Sequence, residues 1–440
     1  MTIPQSRQAG HILVGMVVGL VVGLLWQGLL WALPASEVGA WATTGTWVAT
    51  NLLDPVGQIF LRLLFLVVVP LVFASLVLGV SQQGRLDRLG GLAWRTMALF
   101  GLNMVISVAL GLVMMHILAP GSAMDAGVRD GLRESQGQAL AGIQATAASQ
   151  QAGGFGLRTL LDLLLPRNVL KAVTDFQILP LIIAALLTGA AATTLAEDRR
   201  QRLEDGLETV NLLMARIVAW ALALAPYAVA LLVAATVMRF GAAYLTAVAL
   251  FVVGVLGVIA IHLFGTMSLL LLMFSRIRPV PFFKAIGTIL VTAFSTSSSN
   301  ATLPTCIKVT RERLGVTPSV ASFVLPLGAT MNMSGTALYE GCVVLFVAQV
   351  FGVDLSVGQQ LTLLFLSVLS AVAVAGIPGG SLPLIAGLLV TFGIPPEGIG
   401  IVLGVDRVLD MARSMTNVGS DLVTTVVVDA QERKIDANSA

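Results

Sequence analysis

The stretch VDRVLDMARSMTNVGSD, residues 405–421, sets Asp406, Asp410, Arg413, Asn417 and Asp421 in a largely apolar run near the C-terminus. Their spacings of 4, 3, 4 and 4 put all five on one narrow stripe of a helix, at about 100° per residue. Charge at bilayer depth costs several kcal/mol unless it is paired or turned toward a wet cavity. The stripe therefore reads as an interior site. A buried ion-pair ladder would use the same residues to tie helices together. The excess of carboxylates over arginine favours a site that also takes a cation.

Composition supplies the membrane. Of 440 residues, 57% are hydrophobic and 11% charged, whereas a soluble domain carries about 25% charged residues. Ile12–Leu33, Ala98–Leu118 and Ala242–Phe274 each read as apolar runs of about the 20 residues that cross a bilayer, or more. A net charge of +2 gives no reason to expect a nucleic-acid partner. Cys306 and Cys342 lack the spacing of a disulfide framework or metal site and read as small packing groups. His11, His116 and His262 are scattered and form no zinc motif. The apolar run after His11 is too long for a signal-peptide core and is expected to be a retained first span.

Hydropathy marks ten segments: 10–33, 47–81, 86–118, 158–196, 203–237, 241–275, 279–312, 318–351, 356–390 and 396–430. Two of them, 279–312 and 356–390, are interrupted midway by polar or Gly/Pro residues and are expected to be re-entrant hairpins, which leaves eight full spans. Charge tests that choice. With the N-terminus inside, the internal segments carry Arg7, Arg85, Arg88, Arg95, Arg199, Arg200, Arg202, Arg276, Arg278, Lys284, Lys308, Arg311, Arg313, Arg433 and Lys434. The external loops hold Arg129, Arg133 and Arg239. Fifteen against three is a strong positive-inside bias. Treating one hairpin as a full span would place later basic clusters outside. The loop Pro120–Gly154 reads as an external spacer, and residues 433–440 as a cytoplasmic tail.

Three further stretches bring polar backbone to membrane depth. FSTSSSNATLP (294–304) fills the middle of the first hairpin with donors and acceptors. AGIPGGSLP (375–383) breaks the second with Gly and Pro, leaving half-helix N–H groups suited to carboxylates. Their matching positions before spans 7 and 8 suggest an inverted repeat. Between them LPLGATMNMSGTALYE (325–340) interrupts span 7 with residues that favour an unwound, cation-coordinating turn. Glu340 ends that stretch inside an apolar run, where desolvation disfavours charge. It reads either as a neutral structural group or as a proton carrier.

Together these residues resemble the glutamate transporter family, the dicarboxylate/amino acid:cation symporters. The resemblance rests on the serine-rich first hairpin ending ATLP, NM-x-GT in span 7, AGIPG in the second hairpin and D-x-x-L-D-M-x-R-S-x-x-N-x-x-x-D in span 8. The stretch LLDLLLPRNVLKAVTDFQILPLII (160–183) is similar to that family's fourth-span region. The resemblance implies an all-α polytopic fold of eight transmembrane helices and two re-entrant hairpins, in a homotrimer. Residues 1–84 (spans 1–2) and 158–237 (spans 4–5) would be a static scaffold, with 119–157 an external loop. Residues 85–118 (span 3) and 238–432 would be a transport domain that moves like an elevator, and 433–440 a tail.

It also implies an importer of glutamate or aspartate in a bacterial-type cytoplasmic membrane, with both termini inside. Protons and/or sodium would be co-transported, with no cofactor, no nucleic acid and no enzymatic activity. Arg413 would hold the substrate side-chain carboxylate with Thr336, and Asp410 the α-ammonium. Asn417 with Ser298 and Ser299 would hold the α-carboxylate, and Ser414 and Gly379 would complete the site. Sodium would take Asp421, Asn417, Asn332 and Gly328 at one site, and Thr330 and Met333 with carbonyls near Ala371–Val374 at another. The family's usual NMDGT is NMSGT here, and Asn103-Met104 stands where a Thr-Ser pair is expected. Both changes fall on a third sodium site, which is expected to be absent. Glu340 matches the acidic position of proton-coupled relatives. Ser297 stands where some relatives carry arginine, a charge that Arg407 would supply. The alternatives are a C4-dicarboxylate symporter within the class, and an ion channel or an intramembrane enzyme outside it.

Overall fold

The computed structural model describes residues 5–83, 90–124, 127, 168–174, 178–241, 243–275, 277–374 and 379–439. The greater part of the expected external loop 119–157, residues 375–378 of the second break, and Arg85, Arg88, Arg129, Arg133 and Arg276 lie outside these residues. Among the described residues all regular structure is helical.

Helices α1 (Gln5–Ala32), α3 (Asp54–Gln83) and α4 (Gly90–Leu118) come first, with α2 (Ala35–Val48) and a π turn (Ala49–Leu53) between α1 and α3. Then follow α5 (Val169–Thr174), α6 (Ile178–Thr193) and the long α7 (Glu197–Phe240). A π turn at Ile261–Thr266 separates α8 (Ala243–Ala260) from α9 (Met267–Phe274). The remaining helices come as broken pairs: α10 (Pro279–Thr296) with α11 (Ser299–Glu312), α12 (Pro318–Met331) with α13 (Ser334–Phe351), and α14 (Val357–Ala373) with α15 (Leu382–Thr391). A short 3-10 turn (Pro396–Ile399) leads into α16 (Gly400–Ser439).

Seven described stretches are long and apolar enough to cross a membrane, among them Gly10–Ala32, Gly91–Leu118, Leu245–Phe274 and Pro318–Phe351. Burial orders them. An 18-residue part of Pro318–Phe351 is 94% buried, against 22% for Gly10–Ala32, so α12–α13 is central and α1 peripheral. Exposed Val14, Leu25 and Trp31 on α1 fit a lipid-facing surface.

The helices pack in two groups. In the first, α1 and α3 pack against α7, and α6 packs against α3. In the second, α4 and α8 to α14 gather around α13 and α16. The groups meet where α1 touches α16 and where α15 touches α3. The first group is built on close backbone approach. Gly15, Gly19 and Gly23 repeat every fourth residue along one face of α1, and a Cβ on each would overlap Pro226, Ala230 or Val237 of α7. Small residues at this spacing let two helices associate in lipid through backbone contact.

The connection between the first two spans is the helix α2 plus a π turn. Residues 433–439 form the last turns of α16. Glu432, Arg433 and Lys434 are good helix formers, and Arg433 pairs with Asp429 one turn earlier at 2.8 Å.

Gly19→Leu is expected to force α1 off α7. Overpacking of this kind costs about 1–3 kcal/mol, read as a lower unfolding midpoint of the purified protein in detergent; an unchanged midpoint would contradict this packing.

Candidate functional site

The site starts from three breaks that leave helix ends at the centre of the second group. At the first, Ser297 lies in the left-handed region with φ 49°, and Ser298 begins α11 as its N-cap, accepting from the Ala301 N–H at 3.3 Å. Left-handed backbone is uncommon for a residue with a Cβ and is held only where its surroundings fix it. At the second break, Asn332 and Met333 leave helical geometry and expose the first N–H groups of α13. At the third, Gly379 adopts φ 73° and brings its N–H toward α16.

Helix α16 fills the gap between these ends. Asp406, Asp410, Arg413, Asn417 and Asp421 are each 6% exposed or less, so the stripe read from the sequence is a buried one. Arg413 donates from Nε and Nη2 to Asp410 Oδ1 at 2.9 and 2.6 Å. Its Nη1 lies 3.8 Å from Asp406 Oδ1 and makes no hydrogen bond. Tyr339 stacks under the guanidinium at 4.8 Å and donates its hydroxyl to Asp406 at 2.8 Å. The second Asp410 oxygen accepts from Arg407 Nη1 at 3.2 Å and from the Gly379 N–H at 3.3 Å. Asp410 is thus held by two arginines and by the second break.

Asn417 does for α13 what an N-cap does from within a helix. Its Oδ1 accepts from the Gly335 and Thr336 N–H groups at 2.8 and 3.3 Å, and its Nδ2 donates to the Thr336 hydroxyl at 3.1 Å. The first N–H groups of a helix have no intrahelical partner, and here a side chain from another helix supplies one. A Cβ at Gly335 would meet the Arg413 backbone, so the close approach of α13 and α16 requires glycine there.

These residues enclose a cavity of about 10 Å³ lined by Ser297, Ser299, Met333, Thr336, Ser381 and Arg413 among others. That is room for about one water molecule. Ser414, Asn417, Asp410 and Val374 also line it. Of the expected substrate residues, Arg413, Asp410, Asn417, Thr336, Ser299 and Ser414 therefore meet at one cavity, and Gly379 reaches it through Asp410. Ser298 does not line it and serves as a cap.

Lower on α16, Asn332 Nδ2 donates to Asp421 Oδ1 and to Ser420 Oγ, both at 2.9 Å. A Cβ at Gly328 would collide with the Asp421 carboxylate. Asp421, Asn332 and the end of α12 at Gly328 are thus brought together, and the buried Asn332 Oδ1 has no partner. Met333 is buried at the cavity with Val374, whereas Thr330 is exposed and donates its hydroxyl back to the Leu327 carbonyl at 2.9 Å. Asn103 donates to Ser420 at 3.0 Å and to Thr424 at 3.4 Å, while the Ser334 hydroxyl is buried without a partner.

Glu340 is fully buried on α13, and neither carboxyl oxygen has a hydrogen-bond partner. Ser370 of α14 approaches it without completing a bond. Sequence reasoning passed over Tyr339 and Ser381. Tyr339 looks like any core aromatic, and its contacts with Asp406 and Arg413 come from another helix. Ser381 could have been found, since it follows the Gly-Gly that ends the second break.

Paired charges sealed among broken helices in a polytopic helical membrane protein mark an interior site at bilayer depth. The chain belongs to the sodium:dicarboxylate symporter family, whose model matches residues 9–431. It is 28% identical over 443 residues to the proton/glutamate-aspartate symporter of Escherichia coli (strain K12), covering 98% of this chain and 94% of that protein. It is 29% identical over 427 residues to the proton/sodium-glutamate symport protein of Bacillus subtilis (strain 168), covering 96% and 92%. To C4-dicarboxylate transport protein 1 of Ralstonia nicotianae it is 31% identical over 405 residues, covering 88% of each.

Asn417→Leu is expected to strand two buried N–H groups and the Thr336 hydroxyl. At about 1–3 kcal/mol for each unsatisfied group, unfolding in detergent should come at a clearly lower temperature than for wild type. A variant as stable as wild type would remove the capping role.

Proposed function

We propose that this chain is a secondary active symporter that imports glutamate or aspartate together with protons and/or sodium. The observation that carries this reading is the Arg413–Asp410 pair at a cavity rimmed by hydroxyls and half-helix ends. An acidic amino acid offers both members a new partner: its side-chain carboxylate takes Arg413 and Thr336, and its α-ammonium takes Asp410. Guanidinium suits the first task because it binds carboxylate with two parallel N–H groups. Asn417, Ser299 and Ser414 then face the α-carboxylate, while Ser381 adds a buried hydroxyl without a partner.

The two packing groups support a division into a scaffold of spans 1, 2, 4 and 5 and a transport domain of spans 3, 6, 7 and 8 with both hairpins. In this reading the second group moves as an elevator against the first, in a homotrimer in a cytoplasmic membrane with both termini inside. The broken pairs α10–α11 and α14–α15 are its re-entrant hairpins. Residues 1–84 and 158–237 hold still, residues 85–118 and 238–432 move, and the end of α16 beyond 433 is cytoplasmic.

Coupling follows from acids left without a cationic partner. Asp421 with Gly328, Asn332 and Asn417 offers an oxygen-rich sodium site, and Met333 with backbone near Val374 part of a second. A third site is absent, for Asn103 fills its region with N–H donors and Ser334 lacks a carboxylate. Glu340 carries the proton, crossing neutral with the loaded domain. The names of the Escherichia coli and Bacillus subtilis relatives agree with acidic amino acids and with both cations. A second reading, C4-dicarboxylate import, is favoured by the Ralstonia nicotianae relative and by the second arginine at Asp410. Competition of labelled aspartate uptake by succinate separates the two: the amino-acid reading requires glutamate to compete better than succinate.

Arg413→Cys removes half of a buried pair, a loss of about 2–5 kcal/mol, or about 30- to 5,000-fold in affinity. Aspartate binding within twofold of wild type would exclude the assigned role. For coupling, the measurement is uptake into proteoliposomes with equal sodium on both sides, a clamped potential and a pH step, acid outside. Wild type is expected to accumulate substrate, and Glu340→Gln to lose that response while retaining exchange. No accumulation by wild type, or a wild-type response from Glu340→Gln, would make Glu340 structural.

A further inference from the structure

Away from the substrate cavity, an open cleft of about 930 Å³ lies between the end of α11, the connection into α12 and the last turns of α16. Lys308, Arg311 and Arg433 line it, with Glu312 as the single acid. Lys308 and Arg311 stand three residues apart on one exposed face of α11. Among the described residues neither has a salt-bridge partner, whereas Arg433 pairs with Asp429 and donates to the Gly315 carbonyl. The same Asp429 accepts the Thr317 N–H at 2.9 Å, which fixes the connection against α16. Pro318 opens α12 at the cleft wall, so the positive end of that helix dipole adds to the field.

Position at a helix end accounts for Arg311, which sits in the last turn of α11 and complements its dipole. It does not account for Lys308 a turn earlier. Asp429 offsets Arg433 and Glu312 is the one acid of the lining, so the cleft keeps a surplus of positive charge on Lys308 and Arg311 that an anion would meet. The volume is that of a ligand site, which commonly runs about 300–1,000 Å³.

We propose that this cleft binds a phosphate-bearing anion, held by Lys308 and Arg311 on one side and Arg433 on the other. Two sources share that chemistry: the headgroup of an anionic phospholipid and a free phosphate. Either would fasten the second arm of the first broken pair to the last helix, and so stabilise the second packing group at the end opposite its substrate-side break.

The test is thermal unfolding of the full-length protein in detergent at constant ionic strength. One arm titrates phosphatidylglycerol against phosphatidylcholine, and the other titrates inorganic phosphate against chloride. Phosphatidylglycerol alone raising the midpoint assigns the site to a lipid headgroup, and phosphate raising it assigns a soluble anion. In the effective arm, Lys308→Gln/Arg311→Gln should raise the half-saturating concentration about 30-fold, at about 1 kcal/mol per basic residue. Arg199→Gln, an exposed charge on α7, should leave it unchanged. The site is overturned if neither probe shifts the midpoint, if phosphatidylcholine acts as well as phosphatidylglycerol, if the double variant titrates like wild type, or if Arg199→Gln weakens the response as much as the double variant does.

Discussion

Everything at the centre of this molecule depends on the buried pairing of Arg413 with Asp410. Their side chains are 2% and 4% exposed, and the effective penalty for burying each ion is several kcal/mol. The pair persists because neither charge faces only the other. Arg407 and the Gly379 N–H take the second Asp410 oxygen, and the Tyr339 face and Asp406 take the far side of Arg413. A buried pair is weak evidence for stability, since apolar residues of similar volume often serve as well or better. Its presence in the best-packed part of the fold is therefore an argument about function.

A second constraint follows from the first. Groups that must meet a ligand at bilayer depth need helix ends there, and helix ends bring unpaired N–H and C=O groups into a region with no water to receive them. The fold answers with side chains from α16. Asn417 closes the start of α13, and Asn332 is tied to Ser420 and Asp421 at the end of α12. The residues suited to a ligand are the same ones that hold the backbone breaks together, so binding and local structure are coupled at this point. A ligand that draws Asn417 or Asp410 away acts directly on the breaks around it.

This coupling explains what could be read from the sequence. The α16 stripe was legible because five polar residues at helical spacing in an apolar run allow few interpretations, and the three breaks because Ser, Gly and Pro clusters interrupt spans of predictable length. Contacts between distant elements were not legible. Which serines of TSSSN face the cavity depends on the left-handed turn at Ser297, which gives Ser298 to capping and leaves Ser297 and Ser299 at the cavity. Tyr339 gave no signal, because its hydroxyl finds Asp406 only once α13 and α16 are packed.

Counting charges around the cavity takes the proposed mechanism one step further. The central cluster sets two carboxylates, Asp406 and Asp410, beside two arginines, Arg407 and Arg413. An acidic amino acid carries one net negative charge into a cluster whose acids and bases already match in number. Asp421 and Glu340 stand apart. Asp421 has a neutral amide as its hydrogen-bond partner, and Glu340 has none. In a region of low dielectric, two unpaired carboxylates and an anionic substrate cannot travel together at acceptable cost. In the proposed mechanism Asp421, beside the Asn332 amide, takes a sodium ion, and Glu340, beside the Ser370 hydroxyl, takes a proton. In this mechanism the cations are coupled to the substrate because they neutralise the acids that the fold leaves unpaired, and the central cluster is free to choose the substrate by shape and hydrogen bonding.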